Sequence, residues 1–232
     1  MPRFKIRQNA YSIKVNGGNS DCILCANSST LNPTSAVTLE MWIKPESYKA
    51  SVLFDNSQSG ATNSYFVLLS ATGGLSFYGT IGGSSTVIAS TAKKVKMNEW
   101  NFLNISYNGS AILFFLNGDQ LADTASVSGS LGTNTGQLRI GRYVSLTGNL
   151  SFDGFLYRPR IYSRGFTLAE HQSRFFYDTD DSTINTGLVL DLAMTEGAGS
   201  TIADISGRNN NGTLSTSTWS TEGRFKNRTL IS

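Results

Sequence analysis

The segment AVTLEMWIK (36–44) constrains the fold of this chain more than any other feature. Val37, Leu39, Met41 and Ile43 share one face, while Thr38, Glu40, Trp42 and Lys44 share the other. A period of two belongs to a β-strand resting on a core; helical faces repeat every 3.6 residues instead. Similar segments recur roughly every 8 to 15 residues, separated by polar, glycine-rich breaks. YFVLLS (65–70) and GLSFYG (74–79) flank a turn at 71–74, and WNFLNISYNG (100–109) meets AILFFLNGDQLA (111–122) at Asn108-Gly109. Both are hairpin signals. Asn117-Gly118 marks a further tight turn, and QLRIGR (137–142) and FDGFLYRPRIYSR (152–164) continue the series.

One helix interrupts this pattern. In TLAEHQSRFF, Thr167 is placed as an N-cap with Glu170 three residues later, the spacing of a capping box. The helix is short and is expected at a sandwich edge. TDDSTINTG (179–187) reads as a turn-rich connection and LVLDLAM (188–194) as a buried strand. FKIRQ (4–8) and RFKNRTLI (224–231) are candidate terminal strands, the former within an N-terminal arm over 1–10. The fold class that follows is all-β: a two-sheet antiparallel jelly-roll sandwich with one short helix.

With 232 residues the chain can bury a sizeable core, and sandwiches of this size are commonly one domain. Hydrophobic residues at 39% and only 4 prolines describe a folded chain without a proline-rich linker. A net charge of +3 is spread thinly, with Lys93, Lys94 and Lys96 as the densest patch. Such a chain lacks the basic stripe of a nucleic-acid-binding domain, so nucleic acid is not an expected partner. No run of about 18 apolar residues is present, so no membrane helix is expected. MPRFKIRQNAYSIKV holds no continuous apolar stretch and does not read as a secretory leader. Cys22 and Cys25 form a CxxC, but one histidine and no further cysteine cannot complete a zinc site. On a strand, residues three apart lie about 10 Å apart on opposite faces, beyond disulfide reach. They are read as two reduced thiols.

SSTLNPTSAVTLEMWIKP (28–45), EWNFLNISYNGSAILFFLNGDQL (99–121), LRIGR (138–142) and the FDG…RIYSR…L…E pattern over 152–170 together resemble the laminin G-like, pentraxin-type branch of the concanavalin A-like superfamily. The resemblance covers most of 11–177 and implies a concanavalin A-like jelly roll. GLVLDLAMTEGAGSTIADISGRNNNGTL (187–214) is similar to the segment that usually opens such a domain, yet here it closes the chain. Two arrangements follow: a permuted jelly roll or a truncated second copy. Because some 45 residues cannot easily make an independent core, residues 187–232 are expected to complete one sandwich spanning 1–232.

Family hydrolases carry their catalytic carboxylates on one strand as ExDxxE, where alternate residues share a face about 5 Å apart. That motif is absent, and Asp178, Asp180 and Asp181 cluster in a turn-like stretch that reads as solvated loop. His171 has no partners for a catalytic triad and reads as structural or surface. Catalysis is therefore not expected. Many relatives hold calcium in loops rich in Asp and Asn, which would make Asp21, Asp55, Asn56 and Asp153 its ligands here. Against this, the family's acidic pair after the FDG glycine is replaced by Tyr157-Arg158, and turns use Asp and Asn without any metal. Sugar sites combine an aromatic platform with amides and carboxylates. Trp42, Tyr48, Tyr78, Tyr143 and Trp219 are the candidates, whereas Trp100 opens a strand and reads as core. The six N-x-[ST] sites, at Asn27, Asn104, Asn108, Asn149, Asn211 and Asn227, matter only in a secretory pathway.

Two functional expectations remain. The first is a structural component of a virion surface (capsid decoration, fibre or tail) that contacts neighbouring virion proteins, copies of itself or host glycans. The terminal arms would then dock by edge-strand pairing. The second is an extracellular lectin or adhesion module that binds carbohydrate.

Overall fold

The computed structural model describes residues 11–58, 61–90, 94–122, 125–145, 150–177 and 184–223. The terminal strands expected at 4–8 and 224–231, and the acidic cluster at 178–181, lie outside the described residues. In chain order the first strands are β1 (Ser12–Asn16), β2 (Cys22–Cys25), β3 (Val37–Pro45), β4 (Ser51–Gln58), β5 (Ala61–Leu69) and β6 (Leu75–Ile81). They are followed by β7 (Ser84–Ser90), β8 (Asn101–Tyr107), β9 (Ala111–Leu116), β10 (Asp119–Gln120), β11 (Ala125–Ser126), β12 (Leu138–Ile140) and β13 (Asp153–Tyr162). Helix α1 (Leu168–Tyr177) precedes β14 (Leu188–Asp191), β15 (Thr201–Ile202), β16 (Gly212–Ser215) and β17 (Thr218–Ser220).

These strands form two antiparallel sheets. The first runs β10-β9-β8-β3-β13-β1-β17, with β11 beside β9 and β14 beside β13. The second runs β15-β16-β2-β12-β4-β5-β6-β7. The arrangement is a concanavalin A-like jelly-roll sandwich. Val37, Leu39, Met41 and Ile43 of β3 all enter the core between the sheets, as their alternation requires. From the second sheet Ile23, Tyr65, Val67, Phe77 and Ile140 meet them. The hairpin at 71–74 and those at Asn108-Gly109 and Asn117-Gly118 are all present. Asn117 and Gly118 both have positive φ, the pairing a two-residue hairpin turn needs.

Residues from 188–220 contribute to both sheets. β14 pairs with the second half of β13, β17 with β1, and β16 with β2. The segment that resembles a domain opening thus lies against the strands at the start of the chain.

Helix α1 departs from expectation in its position. Thr167 and Glu170 form the reciprocal capping box: the Thr167 N–H donates to Glu170 Oε2 at 2.8 Å and the Glu170 N–H to Thr167 Oγ1 at 3.3 Å. The helix does not lie at a sandwich edge; it covers the outer face of the first sheet. Phe175 stacks on Trp42 at 5.8 Å and His171 on Phe115 at 3.8 Å. The reason is that this outer face carries Trp42, Phe102 and Phe115, too much apolar surface to leave in water.

Charge is buried beneath the helix along with the rings. Glu40 accepts from Arg174 Nη2 at 2.7 Å, from Arg160 Nη1 at 2.9 Å and from Tyr162 Oη at 3.2 Å. Asp191 pairs with Arg158 through two bonds of 3.1 Å and with Arg160 Nε at 3.1 Å. A β-bulge in β13 makes this possible. Three steps from Tyr157 to Arg160 span only two on β3, and Arg158 takes a positive φ of 49°. Burial alone would raise the Glu40 carboxyl, but the guanidiniums of Arg174 and Arg160 outweigh it and hold the group below the usual carboxylate range. Replacing Glu40→Gln leaves two buried guanidiniums without their shared anion. It should cost about 3–5 kcal/mol in urea unfolding, and an unchanged midpoint would contradict the role given to this cluster.

Candidate functional site

Because side chains alternate along each strand, the second sheet has an outer face that no helix covers among the described residues. Cross-strand register places Val87, Tyr78, Phe66, Asp55, Arg139 and Leu24 in one row running from β7 to β2. Phe66 and Tyr78 stack face to face at 4.2 Å, with only 8° between their planes. Tyr143, in the loop after β12, packs on Phe66 at 5.6 Å. Val87 at the end of the row is 52% exposed. The result is an aromatic patch beside a carboxylate and a guanidinium.

Asp55 lies within this row and is fully buried. Its Oδ1 accepts from the Ser57 N–H at 3.0 Å and from the Ser57 hydroxyl, and the Val144 main chain also bonds the carboxylate. In the same row Nε of Arg139 is buried without a hydrogen-bond partner. Burial pushes the Asp55 carboxyl up to about 6, and the Ser57 hydroxyl and Arg139 only partly offset that. Tyr143 is raised too, first by burial and then by the nearby Asp55 charge. Arg139, half-buried beside the aromatic rings, can offer its guanidinium to a polar ligand, while Asp55 lies beneath the surface and holds that guanidinium in place.

The other predicted sugar contacts are not gathered here. Trp42 is 4% exposed between Phe102 and Phe175, so the helix removes it from any ligand. Tyr48 is 45% exposed, but its hydroxyl is tied to the loop before β8. It donates to Val95 O and accepts from the Met97 N–H, both at 3.1 Å. Trp219 stands on β17 against Tyr11, and its Nε1 donates to Gly199 O at 2.7 Å. Tyr78 and Tyr143 come together. Phe66 was missed, because a strand residue in an apolar run reads as core.

The calcium ligands do not fit a metal site. Asp21 accepts from the Asn16 N–H at 3.1 Å and from the Thr216 hydroxyl. Asp153 is paired with Lys14 at 3.2 Å, and Lys49 Nζ donates to Gly17 O in the same loop region at 3.0 Å. Two ammonium groups thus stand where a cation would have to enter. Asn56 donates to Leu31 O at 2.7 Å and accepts from Asn134 at 2.9 Å, a buried amide brace far along the chain from Asp21 and Asp153. Among the described residues no group of three or more His, Cys, Asp or Glu converges. Tyr157 and Arg158, which replace the family's acidic pair, are themselves buried.

The remaining expectations concern single residues. Cys22 and Cys25 are buried free thiols on β2, and burial pushes Cys25 up to about 12. His171 is buried between Phe115 and Phe166, a structural position, and burial lowers its pKa to about 3.

Two packed antiparallel sheets define an all-β sandwich of the concanavalin A-like class. The chain belongs to the concanavalin A-like lectin/glucanases superfamily, whose family model matches residues 16–170. Among solved structures it is similar to a candidate carbohydrate binding protein from Bacteroides ovatus, with 17% identity and a TM-score of 0.66 over 91% of this chain. The match spans 60% of that protein's length. A heptameric pentraxin from Limulus polyphemus shares 15% identity at a TM-score of 0.52, covering 75% of this chain and 84% of the other. A sialidase carbohydrate-binding module from Ruminococcus gnavus, bound to sialyllactose, shares 15% identity at 0.56, covering 70% and 95%. No curated protein sequence matches significantly.

Asp55 sets a pH signature. Its folded pKa of about 6 lies above the 3.8 of a free aspartate, so the folded state holds this proton more tightly than the unfolded chain. Its stabilising contribution is therefore complete below about pH 4 and is lost as pH rises through about 6. Relative to Asp55→Asn, the wild type should lose on the order of 2–3 kcal/mol between pH 4 and pH 7. Glu40, Asp191 and Glu170, all lowered, act in the opposite direction at lower pH and cancel in this difference. Thermal melts of both proteins measure it, and parallel curves would show that Asp55 is not buried as described.

Proposed function

We propose that this protein is a non-catalytic carbohydrate-binding β-sandwich whose ligand lies across the outer face of the second sheet. The observation that carries the reading is the row Val87–Tyr78–Phe66–Asp55–Arg139, with Tyr143 over its middle. Sugar rings present apolar C–H faces and polar hydroxyl edges. Aromatic rings suit the faces, while the guanidinium of Arg139 suits the edges. The carbohydrate binding named for the Bacteroides protein and the sialyllactose bound to the Ruminococcus module support the class of ligand. No metal is needed in this reading, since the site's own polar groups do the recognition. A place on the surface of a virus particle is the narrower form of the same proposal, in which the sugar is a host glycan. Detection of the chain in purified particles by mass spectrometry tests that form.

A glycan array probed with the intact protein, with and without a calcium chelator, tests the main reading. Saturable binding of a defined set of glycans is expected, unchanged by chelation. Tyr78→Ala and Tyr143→Ala should each weaken it about tenfold, equivalent to ~1.4 kcal/mol, with unchanged melting temperature. A blank array, or full binding by both variants, would sink the proposal.

A further inference from the structure

A polar cleft of about 320 Å³ lies between the loop after β2 and the loop before β16. One wall is Ala26, Asn27 and Ser28 after β2; the other is Arg208, Asn209, Asn210 and Asn211 before β16. The second wall is rigidly braced from below. Asp204 accepts through one oxygen from the Asp191 N–H at 2.9 Å and the Ser206 N–H at 3.0 Å. Through the other it accepts from the Ser206 hydroxyl at 2.8 Å and the Asn210 N–H at 2.9 Å. Asn210, 5% exposed, donates to Val189 O at 2.7 Å and to Thr30 Oγ1 at 2.9 Å, tying this loop to the opposite wall. Asn209 takes a positive φ of 59° at the tip. The main chain of this loop is fixed at many points, so presenting Arg208 and Asn209 at the cleft requires little further ordering of the backbone on binding.

The chemistry of the lining is one-sided. It contains a guanidinium and four side-chain amides but no carboxylate. Among the described residues Arg208 forms no ion pair, and its main chain alone is bonded, through its N–H to Ser206 Oγ at 3.3 Å. Asn27 uses its carbonyl to accept from Asn32 at 3.0 Å, which leaves its NH₂ group as the part offered to a ligand. The Asn211 carbonyl is likewise taken up by the Asp204 N–H at 2.9 Å. Donors therefore outnumber acceptors, and one donor is charged. A guanidinium prefers a carboxylate, which it holds by two parallel bonds, and amide donors suit the neighbouring hydroxyls.

We infer that this cleft is a second saccharide subsite, one that takes an acidic sugar: a carboxylate carried on a polyhydroxylated ring. The inference rests on the carbohydrate-binding reading for its biological sense, but the cleft shares no residue with the aromatic row. Glucuronate and N-acetylneuraminate are the two sources of that chemistry.

The test is a titration of the isotope-labelled full chain with each of these acids, followed by backbone amide chemical shifts. Saturable shifts are expected at residues 26–28 and 208–211 with one or both acids. They should weaken at least about tenfold in Arg208→Gln, as loss of a charge-assisted pair implies, and persist in Tyr78→Ala. Galactose and sodium acetate at matched concentration should leave the cleft unshifted. Absence of cleft shifts with both acids, shifts of equal size with acetate, or shifts unchanged in Arg208→Gln would each overturn the inference. Failure of the main reading is seen separately, as glycan binding that is indifferent to Tyr78.

Discussion

Glu40 and Asp191 sit in the dry layer between the first sheet and helix α1, and three arginines share them. The cluster ties together four separate parts of the chain: β3 through Glu40, β13 through Arg158 and Arg160, α1 through Arg174, and β14 through Asp191. Buried charge adds little net stability against a well-packed apolar alternative, but a missing partner is costly. Its effect here is to fix geometry. Arg160 can reach both carboxylates only when β14 lies in its observed register on β13, and the bulge at Arg158 is what permits Arg158 to meet Asp191.

That fixed layer decides which surface remains for ligands. With α1 seated over Trp42, Phe102 and Phe115, these three outer rings of the first sheet are spent on internal packing. The second sheet has no such cover over β4–β7 among the described residues, and its rings at Phe66, Tyr78 and Tyr143 line a surface instead. Gly154 illustrates how tightly the first sheet closes. Any Cβ there would come within 2.2 Å of Lys44 O, so the strand crossing excludes every other residue.

The strands, hairpins and capping box were legible because each depends on local rules: period-two burial, turn residues with positive φ, and a reciprocal side-chain cap. The resemblance carried in 28–45 and 99–121 named the fold, and its match over residues 16–170 bears that out. The position of α1 was not legible. Thr38, Glu40 and Trp42 form the more polar face of β3, which alternation alone assigns to solvent, and only the tertiary structure shows that a helix takes it. Tyr78 and Tyr143 could be nominated from composition, but their grouping required Phe66. Once the hairpin turn at 71–74 is placed, register sets Phe66 opposite Tyr78, so the pair was readable from turn position. Arg208 stands in a polar loop, and nothing in ISGRNNNGT reveals that Asp204 and Asn210 tie that loop to Thr30 beside the cleft.

The central claim, that ligand lies on the outer face of the second sheet, is tested most directly by a crystal structure of the protein with its best-bound array glycan. The account predicts a sugar ring resting on the Phe66–Tyr78–Tyr143 patch with hydroxyls directed toward Arg139. A glycan ordered on the first sheet, or at the 17–21 loop through a bound cation, would contradict it.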